Sequence, residues 1–302
     1  MKYIVAVCLV SVCTAVMHDS FVFTTRPGGS NKWDAGVLYS ADYNNRSASN
    51  VATLYGPDAD TTYMLHSVIS HGSTVVYSIN QGQNQDNRLF MFTVDPSTGK
   101  PTSAPVLASG SSLPGPEGMT WADVSDPANR VVAVADHVAK CVLTVNVDQA
   151  SAPKPMLDVA DYPADVAKTV DSSGVVSLWV AAGGYDGSYN DQPGNVTQYT
   201  MSSTVAKDVI ASDVPHDHSV CVDYVRNLVF YMENNNGGRM FCHGYGGGVC
   251  PQDVVTSTLV YPNKCVVDAE TSTVLVAAAN TIVAVSYTGD VTTLVTLPEA
   301  ST

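Results

Sequence analysis

Basic residues are scarce in this chain: 14 Lys and Arg stand against 28 Asp and Glu, a formal net charge of −14 over 302 residues. Nucleic acid and anionic membrane surfaces are recognised through basic patches, so neither is expected as a partner. Charge of either sign is sparse, at 14% of residues against 45% hydrophobic, which excludes a disordered chain and leaves enough apolar material for one large core. No apolar run reaches the about 20 residues of a membrane-spanning helix. Nor is there a G-x-S-x-G nucleophile elbow, a Cys-x-x-Cys pair, an H-E-x-x-H zinc motif or a phosphate-binding loop, so covalent catalysis has no support in the sequence.

Residues 1–15 read as a secretory signal: Lys2 supplies the positive start, Tyr3 to Val12 the apolar run, and Cys13-Thr14-Ala15 a small-residue cleavage site. Retention of this run as a strand is the alternative, and residues 16–302 form a single domain on either reading. Secretion implies an oxidising compartment, in which cysteines pair. Cys8 and Cys13 would leave with the signal. Cys242 and Cys250 flank a Gly-rich turn and form the first expected disulfide. Cys221 and Cys265, on first strands of successive repeats, form the second, and Cys141 is left as a buried thiol. Asn45-Arg46-Ser47 and Asn195-Val196-Thr197 are sequons for N-glycosylation.

The remaining signal is repetition. An acid closes a short half-apolar strand at Asp123, Asp171, Asp223 and Asp268, with separations of 48, 52 and 45 residues. After each acid comes an apolar second strand, then a turn and a third strand, as in Leu228 to Met232 and Met240 to Tyr245. Thr74 to Ile79 and Arg88 to Val94 fit an earlier unit in which His71 takes the place of the acid. Phe21 to Thr24, Gly36 to Ser40 and Asn50 to Tyr55 make a first unit of three strands only. Four short antiparallel strands with no room for a helix make a propeller blade. The expected fold is therefore an all-β, six-bladed β-propeller of four-stranded blades, the first blade lacking its innermost strand.

The run from Pro215 to Val260, with Val222-Asp223 closing one strand, Phe230-Tyr231-Met232-Glu233 in the next and Arg239-Met240 after the turn, resembles a blade of the YWTD and NHL-type propellers. That group includes the low-density-lipoprotein-receptor propeller and the gluconolactonase-like hydrolases. Phe230 to Glu233 stand where the family carries Tyr-Trp-Thr-Asp. The resemblance implies a six-bladed ring, and Pro116-Glu117-Gly118 is similar to a step at which the hydrolases hold a divalent ion.

Counting back five or six residues from each strand-ending position places Glu117, Asp165, Asp217, His218, Asn263 and His66 at the starts of the innermost strands, where they are expected to converge at one mouth of the central channel. His216 is a further member. Carboxylates, an amide and imidazoles suit calcium or another divalent cation; equally, they suit a polar channel mouth filled with water. Two functions follow. The favoured one is a secreted, non-enzymatic binding or assembly glycoprotein, with protein, carbohydrate or further copies of itself as partner, since an incomplete first blade leaves an edge for intermolecular pairing. The alternative is a metal-dependent hydrolase of small esters or lactones, in which the ion polarises a carbonyl or activates water.

Overall fold

The computed structural model describes residues 4–7, 20–25, 36–42, 47–54, 65–79, 87–95, 101–185, 191–215, 217–233, 236–260, 262–278 and 281–296. All 24 regular elements among them are strands. They pair in chain order into six four-stranded antiparallel sheets. The first holds β1 (Ile4–Val7), β2 (Ser20–Thr25), β3 (Gly36–Asp42) and β4 (Ser47–Leu54), and the second β5 (Leu65–His71), β6 (Thr74–Ile79), β7 (Leu89–Thr93) and β8 (Val106–Leu107). The third holds β9 (Pro116–Asp123), β10 (Val131–Asp136), β11 (Cys141–Asn146) and β12 (Lys154–Asp158). The fourth holds β13 (Tyr162–Val170), β14 (Val176–Tyr185), β15 (Asp191–Met201) and β16 (Ala206–Pro215). The fifth holds β17 (Asp217–Asp223), β18 (Leu228–Glu233), β19 (Asn236–Gly244) and β20 (Val254–Val260), and the sixth β21 (Pro262–Asp268), β22 (Thr273–Ala278), β23 (Thr281–Ser286) and β24 (Val291–Thr296).

The architecture is a β-propeller. First strands lie against first strands, β5 on β9, β9 on β13, β13 on β17 and β17 on β21, so they line the centre while fourth strands form the rim. Five blades, β5 to β24, are described with their side chains, rather than the six expected; the β1–β4 sheet is described by its backbone alone. That sheet has four strands, not three. Ile4 to Val7 pair with Thr25 to Val22 and supply the strand expected to be missing, because the β-branched apolar run that reads as a leader is equally suited to a strand at the centre of a sheet stack.

Burial follows position within the blade. The second strands β6 and β18 are buried at every residue, and β10 and β22 at all but their first. Both faces of such a strand meet neighbouring blades, hence their continuous apolar sequences. Outer strands are half exposed, and β8 has only two residues, which leaves little edge for unwanted pairing. Trp179 and Phe230 are fully buried between blades, and the Trp179 indole N–H is satisfied by Thr169 Oγ1 at 3.0 Å.

The strand-ending acids act as turn caps. Asp123 Oδ1 accepts from Ser125 N and Oγ, Asp171 Oδ1 from Ser173 N and Oγ, Asp223 Oδ1 from the N–H groups of Val225 and Arg226, and Asp268 Oδ1 from those of Glu270 and Thr271. A carboxylate here satisfies donors that the tight turn turns away from the sheet, which explains why the residue recurs in four of the five blades, with His71 in its place at the end of β5. Both expected disulfides are present. Cys242–Cys250 closes the β19–β20 turn within one blade, and Cys221–Cys265 ties β17 to β21 across two. Cys141 is free and buried.

Candidate functional site at the channel mouth

In the blades with described side chains, pairing between first and second strands slips at the same place. Leu65 pairs with Ile79 and Ser67 with Ser78, which leaves His66 unpaired. Ala164, His218 and Asn263 are left over in the same way between Pro163 and Asp165, Asp217 and Ser219, and Pro262 and Lys264. In the third blade Pro116 pairs with Asp136 and Met119 with Val134, so Glu117 and Gly118 together face Ala135. Each is a β-bulge, which re-aims the residues that follow it.

Aligned on this bulge, Ser67, Gly118, Asp165, Ser219 and Lys264 are equivalent, and the last four of them are brought together. His66, Glu117, His218 and Asn263 lie in the bulge, Asp217 precedes it, and of the six expected to converge only Asp165 stands in the converging register. The side chains of His66, Asp217 and His218, and all of His216, lie outside the described residues, as does Asn45.

Asp165 is the centre of the cluster. Its Oδ1 is 3.0 Å from Lys264 Nζ, and its Oδ2 accepts from Ser219 Oγ at 2.8 Å and from the Val220 N–H at 3.2 Å. Ser219 Oγ in turn accepts from the Cys265 N–H at 3.1 Å. Lys264 Nζ also reaches the Ala164 carbonyl at 3.5 Å. The ion pair therefore joins the blade of β13 to that of β21, over a Ser219 on the intervening β17 that is fully buried; Asp165 and Lys264 are 5% and 8% exposed. Small residues make the crossing possible. A Cβ on residue 118 would lie 1.9 Å from Asp165 Oδ1, so only glycine fits there.

Other carboxylates at this end are matched in the same way. Glu117 Oε1 meets His137 Nδ1 at 2.9 Å. Burial pushes the His137 imidazole down, but the hydrogen bond and charge of Glu117, with Asp136 behind, outweigh it and leave the pKa above its ordinary value. Asp136 is fully buried and accepts from the Gly115 and Ala139 N–H groups at 3.0 and 2.8 Å; burial holds its carboxyl above the usual range. Glu233, at the end of β18, accepts from Arg239 Nε at 2.7 Å and pairs with its second nitrogen, Nη2. Asp165 and Glu233 thus each hold a cation supplied by this chain, and Glu117 faces an imidazole. Among the described residues no group of three or more His, Cys, Asp or Glu side chains is arranged to hold a metal ion.

Sequence reasoning missed Lys264 and Ser219 because a bulge shifts the register by one and leaves no mark in a residue count, and missed His137 and Arg239 because they come from outside the first strands. The one available signal was the recurring Pro at 116, 163 and 262, two residues ahead of the converging position. Elsewhere, the Asn195 sequon lies in mid-strand. Its Nδ2 donates to Asp161 Oδ2 at 2.6 Å. Among the described residues no helix is long and apolar enough to cross a membrane.

No protein-family model and no curated protein matches the chain. Solved structures do. The tricorn protease aligns with a TM-score of 0.59 at 13% identity over 92% of this chain, which spans only 25% of the protease chain. A PQQ-bound aldose sugar dehydrogenase from Streptomyces coelicolor aligns with a TM-score of 0.58 at 13% identity over 93% of both chains. TolB from Acinetobacter baumannii aligns at 0.56 and 9% identity, over 89% of this chain and 64% of its own. At such identities the likeness establishes the propeller fold and nothing about activity.

Proposed function

We propose that this chain is a secreted, non-enzymatic β-propeller that binds protein or carbohydrate, or assembles with further copies of itself, as an extracellular glycoprotein. The observation that supports this reading best is that the carboxylates of the channel mouth are already engaged from within the chain: Asp165 by Lys264, Glu233 by Arg239 and Glu117 by the His137 imidazole. A hydrolytic site needs an unengaged base or a bound ion to activate water. Two disulfides support an oxidising compartment. The acid-capped turn after four of the first strands, at Asp123, Asp171, Asp223 and Asp268, is the feature that favours kinship with YWTD and NHL-type propellers.

In the same reading the β1–β4 sheet is the sixth blade, with β1 placed between β5 and β21 to close the ring. Ile4 to Val7 belong to the run that reads as a leader. Its removal opens the edge of β2, where a strand from a second copy can pair. The test is secretion from a eukaryotic host, then intact mass, light scattering and an ester and lactone hydrolysis panel with and without calcium. Loss of the leader, association of the mature chain and no turnover are expected. Turnover abolished by Glu117→Ala would overturn the non-enzymatic reading, and a clean monomer that has lost its leader would overturn the strand-pairing one.

A further inference from the structure

The Lys264 ammonium lies where a free cation would. Two oxygens face it, Asp165 Oδ1 at 3.0 Å and the Ala164 carbonyl at 3.5 Å. The Val166 N–H fixes Asp165 Oδ1 at 3.0 Å, while Ser219 Oγ and the Val220 N–H hold Oδ2. Gly118 closes one side without a side chain, and the half-buried Asn263 precedes Lys264 on β21. A carboxylate and a carbonyl fixed in a nearly buried site are hard oxygen donors of the kind calcium takes. An isolated ionised carboxylate there would be costly, and the Lys264 ammonium offsets that cost.

We infer that the channel mouth is a cation seat whose cation is covalently built in, so that Lys264 is the residue that keeps free divalent ions out of it. Lys264 reaches the seat past two blade boundaries, and the Cys221–Cys265 disulfide anchors the strand it comes from. Shortening Lys264 leaves the oxygen donors in place and removes the competing charge. The emptied seat should then accept either calcium, completed by water, or a small alkylammonium that repeats the lysine tip. This goes beyond the binding role proposed above and stands or falls separately from it.

The test is a thermal-melting titration of the secreted full chain with calcium chloride and, separately, propylammonium chloride, using sodium chloride at matched ionic strength as the control. Wild type, Lys264→Ala and the Lys264→Ala/Asp165→Asn double variant are compared. Lys264→Ala is expected to melt lower than wild type and to recover in a saturable way with either cation, at the sub-millimolar to millimolar concentrations typical of weak extracellular calcium sites. Neither wild type nor the double variant should respond. A folded Lys264→Ala that responds to neither cation overturns the inference, as does an equal response from wild type. Where Lys264→Ala is unfolded, refolding restored by either cation supports the seat and failure with both refutes it. Lys264→Met, which keeps the stem and loses the charge, gives the same reading by calorimetry with calcium: binding supports the inference and no binding refutes it.

Discussion

Removing the two disulfides separately should cost unequal amounts of stability, and the order is set by how far apart in sequence each pair lies. Cys221 and Cys265 are 44 residues apart and Cys242 and Cys250 only 8. If a cross-link acts chiefly by restricting the unfolded chain, loop closure gives about 4 kcal/mol for the first and about 2.5 kcal/mol for the second. Native contacts widen the gap. Cys265 donates its N–H to Ser219 Oγ, which also donates to Asp165, so slackening β17 against β21 loosens the channel-mouth cluster. The Cys242–Cys250 pair holds one turn within a single blade. Urea unfolding of the Cys221→Ala/Cys265→Ala and Cys242→Ala/Cys250→Ala variants, monitored by tryptophan fluorescence, gives both numbers. A larger loss from the short loop, or no loss from the long one, would refute the view that Cys221–Cys265 staples neighbouring blades at the centre.

Further outcomes follow from the same geometry. Burial pushes the Asp223 carboxyl up, but hydrogen bonds from the Tyr287 hydroxyl, at 2.6 Å, and from Arg226 outweigh it and hold the pKa below the ordinary range. A lowered native pKa contributes stability above the unfolded value of about 4 that is lost as pH falls through the native one. Asp223→Asn should therefore flatten the fall in melting temperature with acid, and an unchanged slope would remove Asp223 from the account. Trp179→Ala should cost about 3–5 kcal/mol in chemical unfolding, given complete burial. Burial pushes the Cys141 thiol up to about 11, so a thiol reagent at neutral pH should label it only after denaturation. Gly118→Ala should lower the melting temperature by forcing a Cβ onto the Asp165 carboxylate.

The blade architecture was legible because its strongest signals are local. Thr74–Ile79, Thr273–Ala278 and Val254–Val260 fall where apolar runs and turn residues place them, and the capping acids Asp123, Asp171, Asp223 and Asp268 mark the period. The cysteine pairs were legible for the same reason, since a hairpin brings Cys242 to Cys250 and equivalent strand positions bring Cys221 to Cys265. The first sheet was read one strand short because an apolar run beginning at Ile4 satisfies a leader and a central strand equally well. The channel mouth is set at a finer scale. Its candidates were found by counting from strand ends, and the bulge at 66, 117–118, 164, 218 and 263 displaces the converging side chains by one residue. Lys264 carries no local sign of its role, because its partner lies 99 positions earlier, in another blade.

That long-range pairing is what the reading of the mouth depends on, and a double-mutant cycle on Asp165 and Lys264 tests it most directly. Asp165→Ala alone strands a buried ammonium and should cost about 3–5 kcal/mol. Adding Lys264→Met should make matters no worse, so that the two single losses exceed the double by about 1–3 kcal/mol. Single losses that simply add would mean that the two side chains do not meet, and that the channel mouth described above is not the one the protein has.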